Sequence, residues 1–340
     1  MANLRFQNAL KAIPQKVPPI WFMRQAGRYH KHYQRLREKH SFMDLCKIPE
    51  LAAETTSGPI EDFDFDVAIL FSDLLFPLEA LGLGLSYDDG GPKLGKHLDL
   101  NVLSQLRSHD DALPFLEFQK KAMQLTRQKI PNEKSLIGFV GGPWTLFSYA
   151  CQGTHSGGLQ ETKTKLSLFP KFMDHLIPLL ISNIQLQLDG GAELVMIFDT
   201  AAGEISANLF ENLVAPQLSL LAAKFPNQLA YYSKGTVPEH LNFIAKNTWA
   251  GVGYDHRWDL SKVMDSKRFP GFVQGNFDQS LLFLETSEFK SQVAKYLDRF
   301  ESMEPKLRTG WVSGLGHGVL PKTPESHVKY LVDEIRRRLA

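Results

Sequence analysis

Leu194-Val195-Met196-Ile197-Phe198-Asp199-Thr200 is a run of five apolar residues that ends on a carboxylate and a hydroxyl. A helical pattern precedes it at Pro170–Leu188, and another follows at Phe210–Phe225. A short apolar run, a polar or glycine-rich step and a long helical stretch make one βα unit. Recurrence of such units predicts a parallel sheet.

The pattern recurs along the chain. Besides Leu194–Phe198, candidate strands lie near Ile20–Phe22, Val67–Phe71, Leu136–Val140, Leu229–Tyr232, Ala250–Gly253, Phe272–Gln274 and Trp311–Ser313. Further helical stretches cover Glu288–Phe300 and Pro324–Leu339. Eight parallel strands form either an open doubly wound sheet or a closed barrel, and the open form concentrates ligand at one switch point. Here reactive side chains follow strand after strand: Arg24 and Arg28, Asp73, Tyr149, Thr200, Lys234, Asp255 and His317. Such residues converge when the sheet closes, because barrel sites gather at the C-terminal face. The expectation is one (β/α)8 barrel domain spanning residues 1–340, which suits a chain of 340 residues. The Gly- and Asp-rich stretch Pro77–Leu100 reads equally as a lid or a solvated loop.

Lys plus Arg number 38 against 37 Asp plus Glu, a net charge of +1. That balance argues against a broad nucleic-acid surface. Cys46 and Cys151 are the only cysteines, with no CxxC, so neither a disulfide framework nor a cysteine-rich zinc site is expected. The first sixteen residues lack a secretory apolar core, and no run approaches 18 apolar residues. A cytoplasmic protein without membrane segments is the expectation.

In Trp21-Phe22-Met23-Arg24-Gln25-Ala26-Gly27-Arg28-Tyr29 an apolar strand delivers two guanidinium groups, and Gly27 permits close backbone approach to a ligand. Arginine's planar fork suits carboxylates. Arg35, Arg37 and Lys39 read instead as a solvated basic helix, while His30, His32 and His40 could add charge at mildly acidic pH. Asp73 follows Val67–Phe71, a place where an aspartate is commonly a turn or helix cap. Tyr149, in the helix after Gly138-Phe139-Val140-Gly141-Gly142-Pro143-Trp144-Thr145, would ordinarily be amphipathic packing. Thr200 either caps the next helix or donates to a carboxylate, with Asp199 in support beside it. Flanking glycines in Gly316-His317-Gly318 place that imidazole on a close-approach loop.

MRQAGRY (residues 23–29) resembles the signature of the uroporphyrinogen decarboxylase family. The likeness continues through AILFSDLLFPLEALGLGL, GFVGGPWTLFSY, IFDTAAGE, VQGNFD and GLGHGVLPKTP, in order and over nearly the whole chain. It implies a (β/α)8 barrel, commonly a homodimer, that needs neither metal nor prosthetic group. By resemblance the substrate is uroporphyrinogen and Asp73 is central, its carboxylate facing the pyrrole N–H groups. Arg24, Gln25, Ala26, Gly27, Arg28, Phe42, Tyr149, Thr200 and His317 form the remainder of the binding site. Arg24 and Arg28 would hold side-chain carboxylates. The proton donor stays open between one of these arginines, a protonated Asp73 and water. Departures from the family pattern are His30-Lys31-His32, Tyr254-Asp255-His256 and Gly314. Two other readings remain: a related barrel methyltransferase using corrinoid and a zinc-activated thiol, and a catalytically silent tetrapyrrole-binding protein. The first would want a His/Cys zinc cluster, which the sequence does not display.

Overall fold

In the computed structural model, residues 2–88, 90–266 and 271–340 are described. Seven strands form one parallel sheet: β1 (Val67–Ile69), β2 (Ser135–Gly141), β3 (Val195–Asp199), β4 (Leu229–Ser233), β5 (Gly251–Gly253), β6 (Phe272–Phe277) and β7 (Trp311–Leu315). Each pairs in parallel with the next in chain order. Intervening helices include α1 (Pro49–Phe63), α2 (Pro143–Gln152), α3 (Phe169–Asp189), α4 (Ala207–Lys224), α5 (Thr286–Glu301) and α6 (Glu325–Leu339). The four helical stretches expected from sequence are therefore α3 to α6.

Successive side chains of each strand go to opposite faces. In β3, Val195 and Ile197 join the large core against the helices, while Met196 joins a second apolar cluster. That second cluster also holds Val67 of β1, Val312 of β7 and Trp21, so the sheet curls until residues of its two edge strands share one core. Both faces are buried, which explains why the strands read as unbroken apolar runs.

The strand expected at Ile20–Phe22 is a correction. Ile20 alone forms an isolated parallel bridge, to Ser313. Pro18 and Pro19 have no N–H for a ladder, and beyond Met23 the chain turns through Arg24, whose φ is 57°. Nearby hydrogen bonds still tie the segment on both sides: Trp21 N donates to the Ser313 carbonyl (3.2 Å) and Asp66 N to that of Ile20 (2.9 Å). β1 is also shorter than expected, because the Phe71 N–H leaves the ladder for Thr56 Oγ1 (2.8 Å).

The stretch after β1 is more built than an open loop. It contains a short helix, Phe76–Ala80, and a hairpin, Leu85–Asp88 with Gly91–Leu94, while Leu78, Leu81 and Leu83 are buried. Asp89 lies outside the described residues. No described helix is long and apolar enough to cross a membrane.

Candidate active site

A cleft of about 770 Å³, open to solvent, lies at the C-terminal ends of β1, β2 and β3 and is walled on its other side by the segment around Arg24 and His317. Its lining includes Arg24, Gln25, Ala26, Asp73, Thr200 and His317. Six of the ten residues expected at a site therefore meet in one cavity. Phe42 stands behind its wall, with its ring 5.8 Å from that of Phe71, a lining residue. Tyr149 is near enough to interact electrostatically with both Asp73 and Arg24. Gly27 and Arg28 lie outside the lining, on the exposed side of the Arg24 loop.

Arg24 sits in the left-handed backbone region, a strained conformation for a residue with a side chain. A Cβ on Gly318 would come within 2.6 Å of Arg24 Cδ, so the glycine leaves room for the arginine to cross the cavity mouth. Gln25 works within the loop: its Nε2 donates to the Val67 carbonyl (3.2 Å), and its own carbonyl accepts from the Tyr29 hydroxyl (2.7 Å). The basic helix Lys31–Arg37 presents Arg35 and Arg37 to solvent, with Lys39 just beyond it. His30 and His32 instead pair with Asp62 (2.7 Å) and Glu54 (2.8 Å) on α1. Burial lowers the His30 pKa, contrary to its expected ready charging in mild acid.

Among the described residues, Arg24, Arg28 and Lys234 have no carboxylate within salt-bridge distance. Free cations around a concave site favour an anionic ligand. Asp73 shares the cleft with Arg24, and its Oδ1 accepts from Leu75 N (2.8 Å). Burial pushes its carboxyl above the usual carboxylate range, against hydrogen bonding from Tyr87 and Leu75 and the charge of Arg24. The Tyr87 hydroxyl faces Asp73 from the hairpin, buried and outside strict hydrogen-bond geometry; its ring packs on Phe42 at 4.4 Å. Sequence reasoning passed over Tyr87, since a tyrosine in a polar hairpin carries no signal of its own.

β3 ends in two residues with different tasks. Asp199 is fully buried and accepts from Thr145 N (2.8 Å), Thr145 Oγ1 (2.6 Å) and the Tyr231 hydroxyl (3.4 Å). It thereby anchors the first turn of α2, which carries Tyr149. Gly142 must lack a side chain there, because a Cβ would approach Asp199 to 2.4 Å. Desolvation raises the Asp199 pKa to about 6. Thr200 remains on the cavity wall, while the cap of α4 is supplied by Ser206.

Gly318 N donates to His317 Nδ1 (2.6 Å), so the ring proton resides on Nε2 and the imidazole is a neutral donor. Burial, followed by the charges of Arg24 and Lys234, lowers its pKa to about 3. Tyr149 is pushed up to about 12 by burial and by Asp73. Its hydroxyl lies 2.6 Å from His155 Nδ1. Sequence reasoning missed His155, although its setting, Gly153-Thr154-His155-Ser156-Gly157, offers the same glycine-flanked signal as His317. Asp255 belongs elsewhere: it is buried and braces Gly235 N (2.6 Å) and Arg257 (2.7 Å). Glycine at 314 has a steric cause, since a Cβ would meet Gln274 Nε2 at 2.1 Å and the Trp21 carbonyl at 2.9 Å. Cys46 and Cys151 are buried and free, and no described group of three or more His, Cys, Asp or Glu is placed to hold a metal.

Fold and site together define an α/β protein whose strand-end cleft holds the unpaired Arg24 and one desolvated carboxylate. The uroporphyrinogen decarboxylase family model matches residues 1–338. Curated relatives bearing that name include one from Solibacter usitatus, 32% identical over 98% of this chain and 96% of its own length. Another, from Anaeromyxobacter dehalogenans, is 36% identical over 97% of both. A solved methyltransferase from Methanosarcina mazei shares the fold with TM-score 0.74 and 19% identity, covering 99% of this chain and 98% of that one. The chain belongs to the uroporphyrinogen decarboxylase family and is a carboxy-lyase.

Proposed function

We propose that this carboxy-lyase removes the carboxylates of the four acetate side chains of uroporphyrinogen, giving coproporphyrinogen and four molecules of CO2 without a cofactor. Family membership supports the reaction. The observation that carries the site assignment is Asp73 in one cleft with the unpaired cation Arg24 and with His317, which Lys234 is near enough to influence.

Breaking the bond to carboxylate leaves an electron pair that needs a sink. The pyrrole provides one. Protonation of the ring carbon beside the acetate-bearing position creates an iminium-like cation. The carbon–carbon bond breaks, CO2 departs and the electron pair neutralises that cation. Protonation of the exocyclic carbon gives methyl, and loss of the added ring proton restores the pyrrole. One proton thus replaces each CO2, and no redox partner is needed.

Arg24 and Arg28 hold substrate carboxylates, and Asp73 accepts from the pyrrole N–H groups and stabilises the transient cation. The Thr200 hydroxyl and His317 Nε2–H are donors that orient the remaining carboxylates, with the Tyr149 phenol beside them. Gln25, Ala26 and Gly27 shape the loop, and Phe42 backs the pocket wall. We further infer that the Ile20 segment closes the curled sheet into an eight-stave barrel, supported by its bonds to Ser313 and Asp66. On the family's pattern, the single barrel domain works as a cytoplasmic homodimer; sedimentation of the purified chain measures the dimer.

Anaerobic incubation with uroporphyrinogen, followed by chromatography of the oxidised products, tests the reaction. Products with seven, six, five and finally four carboxylates are expected. Substrate bound but recovered with all eight carboxylates would identify a silent binding protein instead.

A further inference from the structure

The loop after α2 carries a group that the reaction as described does not use. His155 Nδ1 lies 2.6 Å from the Tyr149 hydroxyl, and the two rings stack with centroids 5.2 Å apart at 30°. Glycines bracket it: Gly153, Gly157 and Gly158 have φ of 73°, 85° and 78°. A Cβ at Gly157 or Gly158 would meet nothing within 4 Å, so these glycines serve backbone conformation rather than packing. The loop is tethered by Gly158 N, which donates to Glu204 Oε2 at 3.3 Å.

We propose that His155 is a positioning residue for the decarboxylation: its Nδ1 accepts the Tyr149 hydroxyl and sets the direction of that phenol beside the cleft. The inference rests on the decarboxylase reading and adds a residue to it. An unanchored phenol hydroxyl can rotate about its C–O bond, whereas an accepted one has a set direction. A hydroxyl oxygen keeps lone pairs when its proton is donated, so Tyr149 then faces the site as an acceptor toward an exocyclic or ring C–H or toward a carboxylic acid proton. The bond requires a neutral imidazole. The charged and titratable groups facing His155 are Arg24 and Lys234, which with burial keep it neutral, Glu204, which opposes them, and His317 and Tyr149.

The test compares His155→Ala and His155→Asn with wild type in anaerobic turnover of uroporphyrinogen across pH 5–8, with melting temperature as a check on folding. Asparagine retains an acceptor oxygen near the place of Nδ1. His155→Ala is expected to lower kcat about tenfold, with KM changed less than threefold, equivalent to about 1.4 kcal/mol in the barrier. His155→Asn is expected to restore most of kcat and to lack the part of the acid limb that wild type shows below the ordinary imidazole pKa. That sign follows because protonation of Nδ1 turns the acceptor into a donor. Unchanged kcat in the Ala variant overturns the proposal, as does an Asn variant as slow as Ala while equally folded. Failure of wild type itself to decarboxylate would defeat the underlying reading, a separate outcome.

Discussion

Two aspartates stand at opposite ends of β1, and they live differently. Asp66, just before the strand, is 2% exposed and saturated: Arg5 (3.2 Å) and Asn3 (3.3 Å) reach one oxygen, Ile20 N (2.9 Å) and Arg336 (3.5 Å) the other. Asp73, just after it, has one backbone donor, a tyrosine and cations that stand off around an open cleft. Asp66 is satisfied within the fold, whereas Asp73 faces an open cleft. That division is the one expected between the stabilising and catalytic faces of a barrel-type fold.

The comparison breaks most visibly under paired substitutions. Asp73→Asn should reduce turnover by well over tenfold, more than about 1.4 kcal/mol, while its melting temperature stays level or rises, since a costly buried charge is relieved. Asp66→Asn should leave kcat nearly intact and lower stability by about 2–3 kcal/mol, as bonds to charged groups are lost. Equal effects of both on stability and activity would erase the distinction. If Arg28 holds substrate as proposed, Arg28→Ala should raise KM and lower kcat together, and wild-type KM should rise with salt as the exposed cations are screened.

A third carboxylate sharpens the contrast through pH. Asp199 has a pKa raised to about 6 in the folded state, against about 4 unfolded. Between those values the folded chain keeps a proton that the unfolded chain releases, so stability falls as pH rises through that window. The drop from this group is at most about 3 kcal/mol. Asp199→Asn should flatten that segment of the stability profile, because an amide does not titrate, while its Oδ1 still accepts both Thr145 donors. Smallest is Tyr87→Phe. Removing a donor that favours the Asp73 carboxylate should move the acid limb of kcat/KM upward.

Strands and helices with unbroken or periodic apolar pattern were legible because burial on both sheet faces writes itself into composition. Ile20–Phe22 was not, because Pro18, Pro19 and the turn at Arg24 override an apolar run. Arg24, Asp73, Thr200 and His317 meet in the cleft; the family resemblance singled out the last three, whose local settings alone read equally as caps or loop residues. Asp255 also follows a strand in the sequence, yet it is a loop brace, because the fold brings Gly235 and Arg257 onto its oxygens. Tyr87 reaches Asp73 from a distant hairpin, and His155 hangs from a loop; both depend on tertiary folding that no local pattern encodes.

The most direct measurement is a structure of the chain bound to coproporphyrinogen under anaerobic conditions. The account predicts the Asp73 carboxylate within about 2.7–3.2 Å of pyrrole nitrogens, with substrate carboxylates on Arg24 and Arg28. A macrocycle seated away from residue 73, or contacting it only through its propionates, would contradict it.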